Sequence, residues 1–520
     1  MHGMESILLV ELPTFPKGTV ALSLYAVAAA FGPGYSIRIL DLNRQRLEDL
    51  SAGDSYSLIG LKVSAQNFDL AVEVGERLRK MYPAAALLWG GEYPTLVPGE
   101  CAAYADVVVS GAFEPVVEEL LADLEAGELK GQYAGEKAPP LGGLQAPRLD
   151  LLEDEGESLY FMGLPMESSR GCTYKCTFCL VHQMQPGYAL KDLSQLQREL
   201  PSYAGRFINL IDYNFGVHPS HVIRTARAIR DSEALGWMAE MCLESLDNDD
   251  MLAALAESRC RMIYCGLESI DEGALRAVNK ARTNQIANYT RIIHKVQSYG
   301  IQVAAGVIIG LPEGRRIGSD GISAFERTRR FFQEMGIAYA KLTFLTYNPG
   351  TKVRESMRRK GDYLSDSPGF QDGNHLSYLA HGLDAEAVYR DAETFIRKFY
   401  HPAGIFSRVR KGSPRFWSRL EMFLFNLCYR DVYVSWLERD IFRDENAFQH
   451  LLREPLQKSW LLRKAEQALH WVRRRRYKME TGRKAPAMTT IPQPLHSPKS
   501  PAVSHAPAKA VPLPIPVQQP

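Results

Sequence analysis

Short apolar runs alternate with amphipathic segments over residues 5 to 127. The strand-like runs are SILLVEL, YSIRILDL, SLIGLKVS, AALLWGG and DVVVSG. Helical patterns such as AVEVGERLRKMY separate them. Strands that alternate with helices of this size indicate a parallel sheet covered on both faces. The sequence therefore predicts a doubly wound, Rossmann-like α/β domain over residues 1–130, with ligands at the carboxyl ends of its strands.

The alternation stops over residues 131–160 and resumes over residues 161–365. Glycine, proline and charged residues without a sustained period predict a linker over the first of these ranges. The second range contains six strand candidates, LPMES, RFINLID, WMAEMCL, RMIYCGLES, QVAAGVIIG and YAKLTFLT. Six such units predict a partial (β/α)6 TIM barrel, whose reactive face lies at the carboxyl ends of the strands.

Residues 366–484 change to helical patterns, and residues 485–520 lose periodicity altogether. LDAEAVYRDAETFIRKFY and RFWSRLEMFLFNLCYRDVYVSWLERDIF are typical of helices, and the segment between them, YHPAGIFSRVRKGSPRFW, is predicted to join them through turns. The last 36 residues contain ten prolines and no acidic residue, which predicts a disordered tail.

Composition adds little to this plan. The chain has 520 residues, 46% hydrophobic and 23% charged, with a net charge of +1, as is ordinary for a globular protein of several domains. No apolar stretch has the length of a membrane span. The start, MHGMES, lacks an apolar signal segment, so we expect a soluble protein of the reducing cytoplasm.

Candidate chemistry begins with three cysteines, Cys172, Cys176 and Cys179, within eight positions of ESSRGCTYKCTFCLVH. Structural zinc sites are closed by four ligands, and the other five cysteines stand singly. Three thiolates suit an iron-sulfur cube with one iron left open to another ligand. An electron-transfer cluster and zinc stay open as alternatives at this point.

The cysteine spacing resembles the signature of the radical S-adenosylmethionine (SAM) superfamily, Cys-x3-Cys-x-aromatic-Cys, with Phe178 as the aromatic residue. The resemblance implies a 4Fe-4S cluster held by the three cysteines. It also implies that SAM chelates the open iron and is cleaved to a 5'-deoxyadenosyl radical. An electron donor such as flavodoxin or ferredoxin is then expected as a partner.

Three later strand ends extend the resemblance. GVIIGLPEG is similar to the superfamily segment that lies against the adenine of SAM. CGLES stands at the position where the superfamily's fourth strand contacts SAM. LIDYNFG resembles the Asp-Asn-Phe element of the cobalamin-dependent branch. The implied SAM-binding residues are Phe178, Asp212, Asn214, Glu268, Ser269, Gly306, Ile308, Gly310 and Glu313. For Asp212 and Asn214, capping of a turn is an equally open interpretation.

The N-terminal region resembles the cobalamin-binding domain that precedes many radical SAM enzymes, through VSAQ, GGEYPTLVPGE and VVVSGAFEPVVEELL. The implied cobalamin-binding residues are Ser64, Gly90, Gly91, Ser110 and Gly111. Glycines at strand ends are also common turn formers. The Asp-x-His-x-x-Gly loop of many cobalamin domains is replaced by ELPTFPKG, so we expect no histidine ligand on the lower face of cobalt.

The whole pattern resembles the cobalamin-dependent, class B-like radical SAM enzymes. It implies a methyltransferase in which one SAM supplies a methyl group by way of cobalamin and a second supplies the radical that activates an unactivated carbon. The substrate is expected to be a small molecule or lipid-like. Cyclisation or oxidation without methylation, and a non-catalytic cobalamin or iron-sulfur sensor, are the alternatives. No catalytic acid or base stands out beyond the cluster.

A basic segment lies near the end of the chain, with ten Lys or Arg against two Glu over residues 456–484. Leu461, Ala465, Ala468 and Val472 share one predicted helical face, with Trp460 and Trp471 at its margins. This pattern suits a helix docked on its own domain with solvated arginines, and it also suits peripheral contact with an anionic membrane. Nucleic acid is not the expected partner.

Overall fold

The structure is a computed structural model. It describes residues 6–14, 19–51, 53–135, 140–152, 161–311, 322–349, 351–361, 364–365, 367–379, 384–441, 443–454 and 458–487. The predicted SAM residue Glu313 and the predicted disordered range from 488 onward lie outside the described residues.

The N-terminal domain is built on six parallel strands in the order β2-β1-β3-β4-β5-β6. The strands are β1 (Ser6–Glu11), β2 (Ser36–Asp41), β3 (Leu58–Lys62), β4 (Ala86–Gly90), β5 (Val107–Ser110) and β6 (Gln132–Ala134). The helices are α1 (Leu22–Ala30), α2 (Phe68–Met81), α3 (Glu92–Leu96), α4 (Pro98–Cys101) and α5 (Val117–Ala126). The first five strands match the apolar runs. The sixth lies inside the predicted linker, so the sheet continues past residue 130.

The second sheet also has six parallel strands, in the order β14-β13-β12-β11-β10-β7, and it forms a curled half-barrel. These strands are β7 (Leu164–Met166), β10 (Phe207–Leu210), β11 (Gly236–Glu240), β12 (Cys260–Glu268), β13 (Gln302–Ile309) and β14 (Ala340–Phe344). A small antiparallel pair, β8 (Ser169–Gly171) and β9 (Tyr188–Leu190), stands beside them. The predicted fold class and all six predicted barrel strands are confirmed.

Helices connect the barrel strands and cover their outer side. They are α6 (Val181–Met184), α7 (Leu193–Glu199), α8 (Pro219–Asp231), α9 (Asp249–Glu257), α10 (Glu272–Ala277), α11 (Ile286–Ser298), α12 (Ala324–Glu334) and α13 (Lys352–Lys360). Apolar side chains of both sheets and of the C-terminal helices join one extensive buried core that contains Trp89 and Trp237. This core fixes the sheets whose carboxyl ends carry the candidate site.

Five helices follow the barrel: α14 (Ala385–Phe399), α15 (Pro402–Lys411), α16 (Phe416–Glu438), α17 (Glu445–Arg453) and α18 (Trp460–Thr481). The segment predicted to join helices through turns forms α15 instead, which corrects that prediction. Pro402 occupies the first turn, where a missing N–H costs nothing, and His401 Nδ1 accepts the Ala403 N–H. Among the described helices, none has the length and apolarity needed to cross a bilayer.

Helix α18 docks on the domain through a face that only partly coincides with the predicted one: Ala465 and Val472 belong to both. The side chains of Leu462, Ala465, Leu469 and Val472 are buried, whereas Leu461 is 37% exposed and Ala468 is half-buried. Arg473 and Arg476 are buried too and pair with Glu421 of α16, so the arginines are not all solvated. Because these arginines are buried along with the apolar residues, the buried face of α18 is turned relative to the predicted apolar face.

Candidate active site

The cysteine loop leaves β8 through a glycine that no other residue could replace without strain. Gly171 has φ +90°, and an added Cβ would overlap the carbonyl oxygen of Gly187. Gly171 is paired with Tyr188 across the antiparallel β8 and β9. The backbone therefore enters Cys172 in one fixed direction.

Hydrogen bonds hold the loop against the end of α10. The Thr177 N–H donates to Val278 O at 3.3 Å, and Asn279 Nδ2 donates to Lys175 O at 2.9 Å. The Cys179 N–H closes a turn onto Cys176 O at 3.1 Å. Because both of its halves are tied down, the loop presents its side chains from a fixed backbone.

All three thiols are half-buried and free of disulfides. Burial raises the pKa of Cys176 to about 11, with further increments from Cys179 and Cys172. Burial also raises the pKa of Cys179, while the Val181 N–H, which hydrogen bonds to its thiol, lowers it. The sulfurs of Cys176 and Cys179 therefore lie in desolvated surroundings, and metal coordination is the ordinary means of holding such thiols as thiolates.

Over the described ranges, no three His, Cys, Asp or Glu side chains are placed to bind one metal ion. The cysteines of an iron-sulfur cube each bind a different iron, so they stand farther apart than the ligands of a single ion. Three free thiols on one loop, with an N–H donor to the sulfur of Cys179, fit such a cube.

Lys280 lies beside these cysteines and was missed by sequence reasoning. Its ammonium is 3.2 Å from Glu268 Oε1 and 3.3 Å from Gly266 O, and its side chain is buried. Burial would lower the pKa of Lys280, but the charges of Glu268, Cys242 and Cys176 outweigh it and raise the pKa. No spacing pattern in the sequence marked this lysine.

Glu268 ends β12 in the left-handed region, with φ +59°. Such a conformation costs about 1–2 kcal/mol for a non-glycine residue. Asn284 Nδ2 donates to Gly266 O and Leu267 O, at 2.8 and 2.9 Å, and the Tyr289 hydroxyl donates to Leu267 O at 3.1 Å. These hydrogen bonds fix the backbone of Gly266 and Leu267, and this fixes the direction in which the Glu268 side chain leaves the strand.

A cavity of about 100 Å³ lies at the ends of β12 and β13 and brings together four of the predicted SAM residues. They are Glu268, Ser269, Ile308 and Gly310. Gly310 has φ +83°, and an added Cβ would make only an ordinary contact of 3.9 Å with the Leu345 side chain. Gly306 is different, because an added Cβ would overlap the hydroxyl of Tyr264. The structure thus explains Gly306 by packing inside the barrel.

The side chains of Asp212 and Asn214 form hydrogen bonds with other residues of the chain. Asp212 accepts hydrogen bonds from the Ser168 N–H at 2.7 Å and from the hydroxyls of Ser168 and Ser169 at 2.6 Å. Burial raises the pKa of Asp212 to about 6, although these donors lower it. Asn214 Oδ1 accepts the Cys242 N–H, and its Nδ2 has no partner among the described residues. Asp212 thus anchors the strand that leads to the cysteines, through hydrogen bonds to residues distant in sequence rather than within its own turn.

A larger cavity, of about 490 Å³, separates the N-terminal domain from the barrel. Lys62, Ser64 and Glu92 line it from the N-terminal side, and Phe178 and Ile308 line it from the barrel side. The aromatic residue of the cysteine motif thus faces the N-terminal domain. Ile308 lines both cavities and so stands between them.

The predicted cobalamin residues differ in what they do. The buried Ser64 Oγ lacks a partner among the described residues, and a Cβ on Gly90 would meet only a leucine side chain at 3.9 Å. Gly91 and Gly111 have φ +112° and +82°, and in both an added Cβ would collide with backbone oxygen. Ser110 ends β5. Ser64 and Gly90 therefore leave room and hydrogen-bonding capacity for a ligand, while the other two glycines serve the turns.

Residues 166–315 match the Radical SAM superfamily. The chain is 21% identical over 418 residues to bacteriochlorophyllide d C-12(1)-methyltransferase from Chlorobaculum tepidum, covering 78% of this chain and 88% of the relative.

Two solved structures share the fold. The radical SAM methyltransferase TsrM from Kitasatospora setae, with cobalamin and a [4Fe-4S] cluster bound, superposes with a TM-score of 0.58 at 16% identity, over 81% of this chain and 99% of TsrM. The cobalamin-dependent SAM radical enzyme OxsB, with aqua-cobalamin and SAM bound, gives 0.59 at 14% identity, over 92% and 81%.

These matches confirm the resemblance inferred from the cysteine motif and the N-terminal strand ends. Residues 166–315 form a radical SAM domain, and the chain is an enzyme homologous to the cobalamin-dependent radical SAM methyltransferases.

Proposed function

We propose that this enzyme cleaves SAM at a 4Fe-4S cluster to form a 5'-deoxyadenosyl radical, and methylates an unactivated carbon of a small-molecule or lipid-like substrate with the help of cobalamin. One observation carries the proposal. The cysteine loop and the cavity of the predicted SAM residues lie on the edge of the half-barrel that faces the N-terminal domain across the larger cavity. Two cofactor sites and a substrate space therefore adjoin one another.

Cys172, Cys176 and Cys179 are the residues that would hold the cluster. Bound there, the cluster would supply one-electron reduction of the SAM sulfonium, and a donor such as flavodoxin or ferredoxin would supply the electron. Glu268 presents a fixed carboxylate that suits the ammonium or ribose of SAM. Lys280 neutralises this carboxylate and faces the thiols.

Ser64 and Gly90 would contact cobalamin, which supplies a methyl carrier. Two observations support this assignment: the Ser64 hydroxyl has no partner among the described residues, and a Cβ on Gly90 would make only an ordinary contact of 3.9 Å.

The substrate would enter the larger cavity between the two cofactor sites. Thr343 of β14, and Thr346 and Asn348 just after that strand, line its barrel side, with Gln371 from the following segment. These groups offer hydrogen bonds, while Phe178, Leu180 and Ile308 offer apolar contact. A site closed by two domains keeps water away from a carbon radical.

The test is anaerobic reconstitution of the full chain with iron, sulfide and cobalamin, followed by SAM and a strong reductant. We expect both S-adenosylhomocysteine and 5'-deoxyadenosine. Cys176→Ala should abolish 5'-deoxyadenosine, whereas Cys428→Ala, at a buried cysteine of α16, should not. Deoxyadenosine without adenosylhomocysteine would indicate a reaction without methylation, and the absence of both would indicate a sensor.

A further inference from the structure

Helix α18 docks through one face and leaves the opposite face uncovered among the described residues. Trp460 and Trp471 lie on this outer face and are 68% and 57% exposed. Eleven residues make just over three turns, so the two indoles stand about 16 Å apart on one side of the helix. Large exposed aromatic side chains cost free energy in water, so a face that carries two of them is typical of a binding surface.

The start of α16 extends this surface. The rings of Trp471 and Trp417 lie 6.2 Å apart, and the rings of Trp417 and Phe416 lie 5.4 Å apart. Phe416 is itself 68% exposed. We refer to Phe416, Trp417, Trp460 and Trp471 as the indole face. Two helices thus build one apolar ridge on the outside of the protein.

Cations surround the indole face. They are Arg463, Lys464, Arg475 and Lys478 on α18, and Lys411 and Arg415 just before α16, all exposed. Both acidic residues of this helix are paired, Glu466 with Lys458 and Glu480 with Arg261. Since the whole chain carries a net charge of only +1, positive charge is concentrated here.

We propose that the indole face binds the surface of an anionic lipid bilayer, so that the enzyme attaches peripherally to a membrane. Indole rings favour the headgroup level, where an apolar ring and a polar N–H are both accommodated. Exposed lysines and arginines beside them are attracted to anionic headgroups. A helix with one docked face and one aromatic, cationic face lies in the plane of such a surface.

Two other occupants fit less well. A second copy docked by the same face would bring two cationic surfaces together, which like-charge repulsion opposes. Single-stranded nucleic acid stacks its bases on open aromatic platforms inside grooves. The indole face is instead convex, and the ring of Trp471 is already packed against Trp417. Both occupants are outcomes of the test.

The test is co-sedimentation of the full chain with vesicles of phosphatidylcholine alone, or of phosphatidylcholine and phosphatidylglycerol in equal parts. We expect binding to the anionic vesicles only, and weakening by salt. Lipids brominated on their acyl chains should quench tryptophan fluorescence on binding. Replacement of all three tryptophans of the indole face, Trp417→Phe, Trp460→Phe and Trp471→Phe, should keep most of the binding but lose most of that quenching.

Charge reversal supplies the matched control. Lys464→Glu, Arg475→Glu and Lys478→Glu together should weaken binding by roughly a hundredfold. Reversal of three exposed cations elsewhere, Lys80, Arg224 and Arg227, should leave binding within about twofold. The same thermal midpoint in both variants would show that each is folded.

Several results would overturn the proposal. They are equal binding to neutral and anionic vesicles, absence of binding, equal effects of the two charge reversals, displacement of vesicles by a single-stranded oligonucleotide, and a dimer that Trp471→Ala dissociates. None of these measurements requires a loaded cluster or turnover. Failure here is therefore distinguishable from failure of the proposed reaction.

Discussion

Arg170 joins the N-terminal domain to β8, the strand that leads into the loop of Cys172, Cys176 and Cys179. Its Nε donates to Glu167 at 2.9 Å, and its Nη1 donates to Glu114, beyond β5, at 3.1 Å. The side chains of Arg170 and Glu114 are 13% and 17% exposed, so this ion pair is screened less than a surface pair. Cys172 follows two residues later, and a shift of one domain is transmitted to the loop of the other.

The first prediction concerns this contact. Glu114→Gln removes the carboxylate that ties Arg170 to the N-terminal domain, so hydrogen exchange should accelerate in peptides over 169–180 and 107–116, with or without cofactors. In reconstituted enzyme, the ratio of S-adenosylhomocysteine to 5'-deoxyadenosine should fall about tenfold, because methyl transfer depends on the relative placement of the two domains.

A matched control is Glu48→Gln, which removes an exposed ion pair with Arg77 in the same domain. It should change neither exchange over 169–180 nor the product ratio, since exposed pairs contribute little. Unchanged exchange in Glu114→Gln would contradict the role of the contact.

The second prediction concerns Lys280. Lys280→Met leaves Glu268 buried without its cation, which should lower the free energy of unfolding by about 3 kcal/mol. In reconstituted protein, affinity for SAM measured by equilibrium dialysis should fall roughly tenfold to a hundredfold, the value of a charge-assisted hydrogen bond. Lys280→Arg should restore much of the stability, because it keeps the charge.

Lys295→Met is the control for Lys280. Lys295 pairs with Asp247 and Asp249 on the outer surface, where the two carboxylates are 33% and 69% exposed. Its loss should cost less than about 1 kcal/mol and leave SAM affinity unchanged. Equal effects at the two lysines would rule out a special role for Lys280.

Most of the fold could be predicted because its signals are local. Buried parallel strands are continuous apolar runs, and all six barrel strands were marked in this way. β6 was missed because only Tyr133 of its three residues is buried, which gives no periodic signal. The docked face of α18 was displaced by one position, because partners distant in sequence, Glu421 among them, decide which arginines are buried.

The candidate site likewise contains residues that the sequence identifies and residues that only the folded structure brings into it. Cys172, Cys176 and Cys179 lie on one loop, so their spacing alone identified them. Glu268 was found through a resemblance, but its left-handed backbone depends on hydrogen bonds from Asn284 and Tyr289 to the residues before it. Lys280 approaches the cysteines only after the chain folds back from β12. Contacts between residues distant in sequence leave no periodic pattern, so they are recognised only in the structure.

The third prediction concerns a buried imidazole. His375 Nδ1 is 3.0 Å from Asp372 Oδ1, and His375 Nε2 is 2.7 Å from Ile441 O. Two acceptors on opposite sides of the ring favour the imidazolium. Burial alone would lower the pKa of His375, but Asp372 and the Ile441 carbonyl outweigh it and raise the pKa above its ordinary value of 6.5.

Because the pKa of His375 is raised in the folded state, the direction in which its contribution to stability changes with pH is fixed. The contribution of His375 should be fully present below its unfolded pKa and be lost as pH rises through the folded one. The thermal midpoint should therefore fall as pH rises above about 6.5, and His375→Gln should lose most of this slope. The exposed His450 of α17, 3.2 Å from Glu454, offers the control His450→Gln. An identical slope in wild type and His375→Gln would refute the assignment.

The fourth prediction concerns Glu421, which anchors α18 through Arg473 and Arg476 at 3.1 and 2.7 Å. Burial would raise the pKa of Glu421, but the two guanidinium groups, with Arg261, hold it below its ordinary value of 4.5. Glu421→Gln leaves two buried cations without a carboxylate. It should lower the free energy of unfolding by about 3–5 kcal/mol.

The pH dependence of this site is opposite to that of His375. A depressed folded-state pKa contributes stability that is present above the unfolded pKa and lost as pH falls through the folded one. Urea unfolding of the wild type should therefore show acid destabilisation below about pH 4.5 that Glu421→Gln reduces. Glu393→Gln, at an exposed pair with Arg397, should retain the wild-type slope. In Glu421→Gln we expect α18 to detach first, so that peptides over 460–481 exchange hydrogen before the barrel unfolds. Simultaneous exchange of these peptides and of the barrel would instead show that α18 belongs to the barrel's cooperative unit.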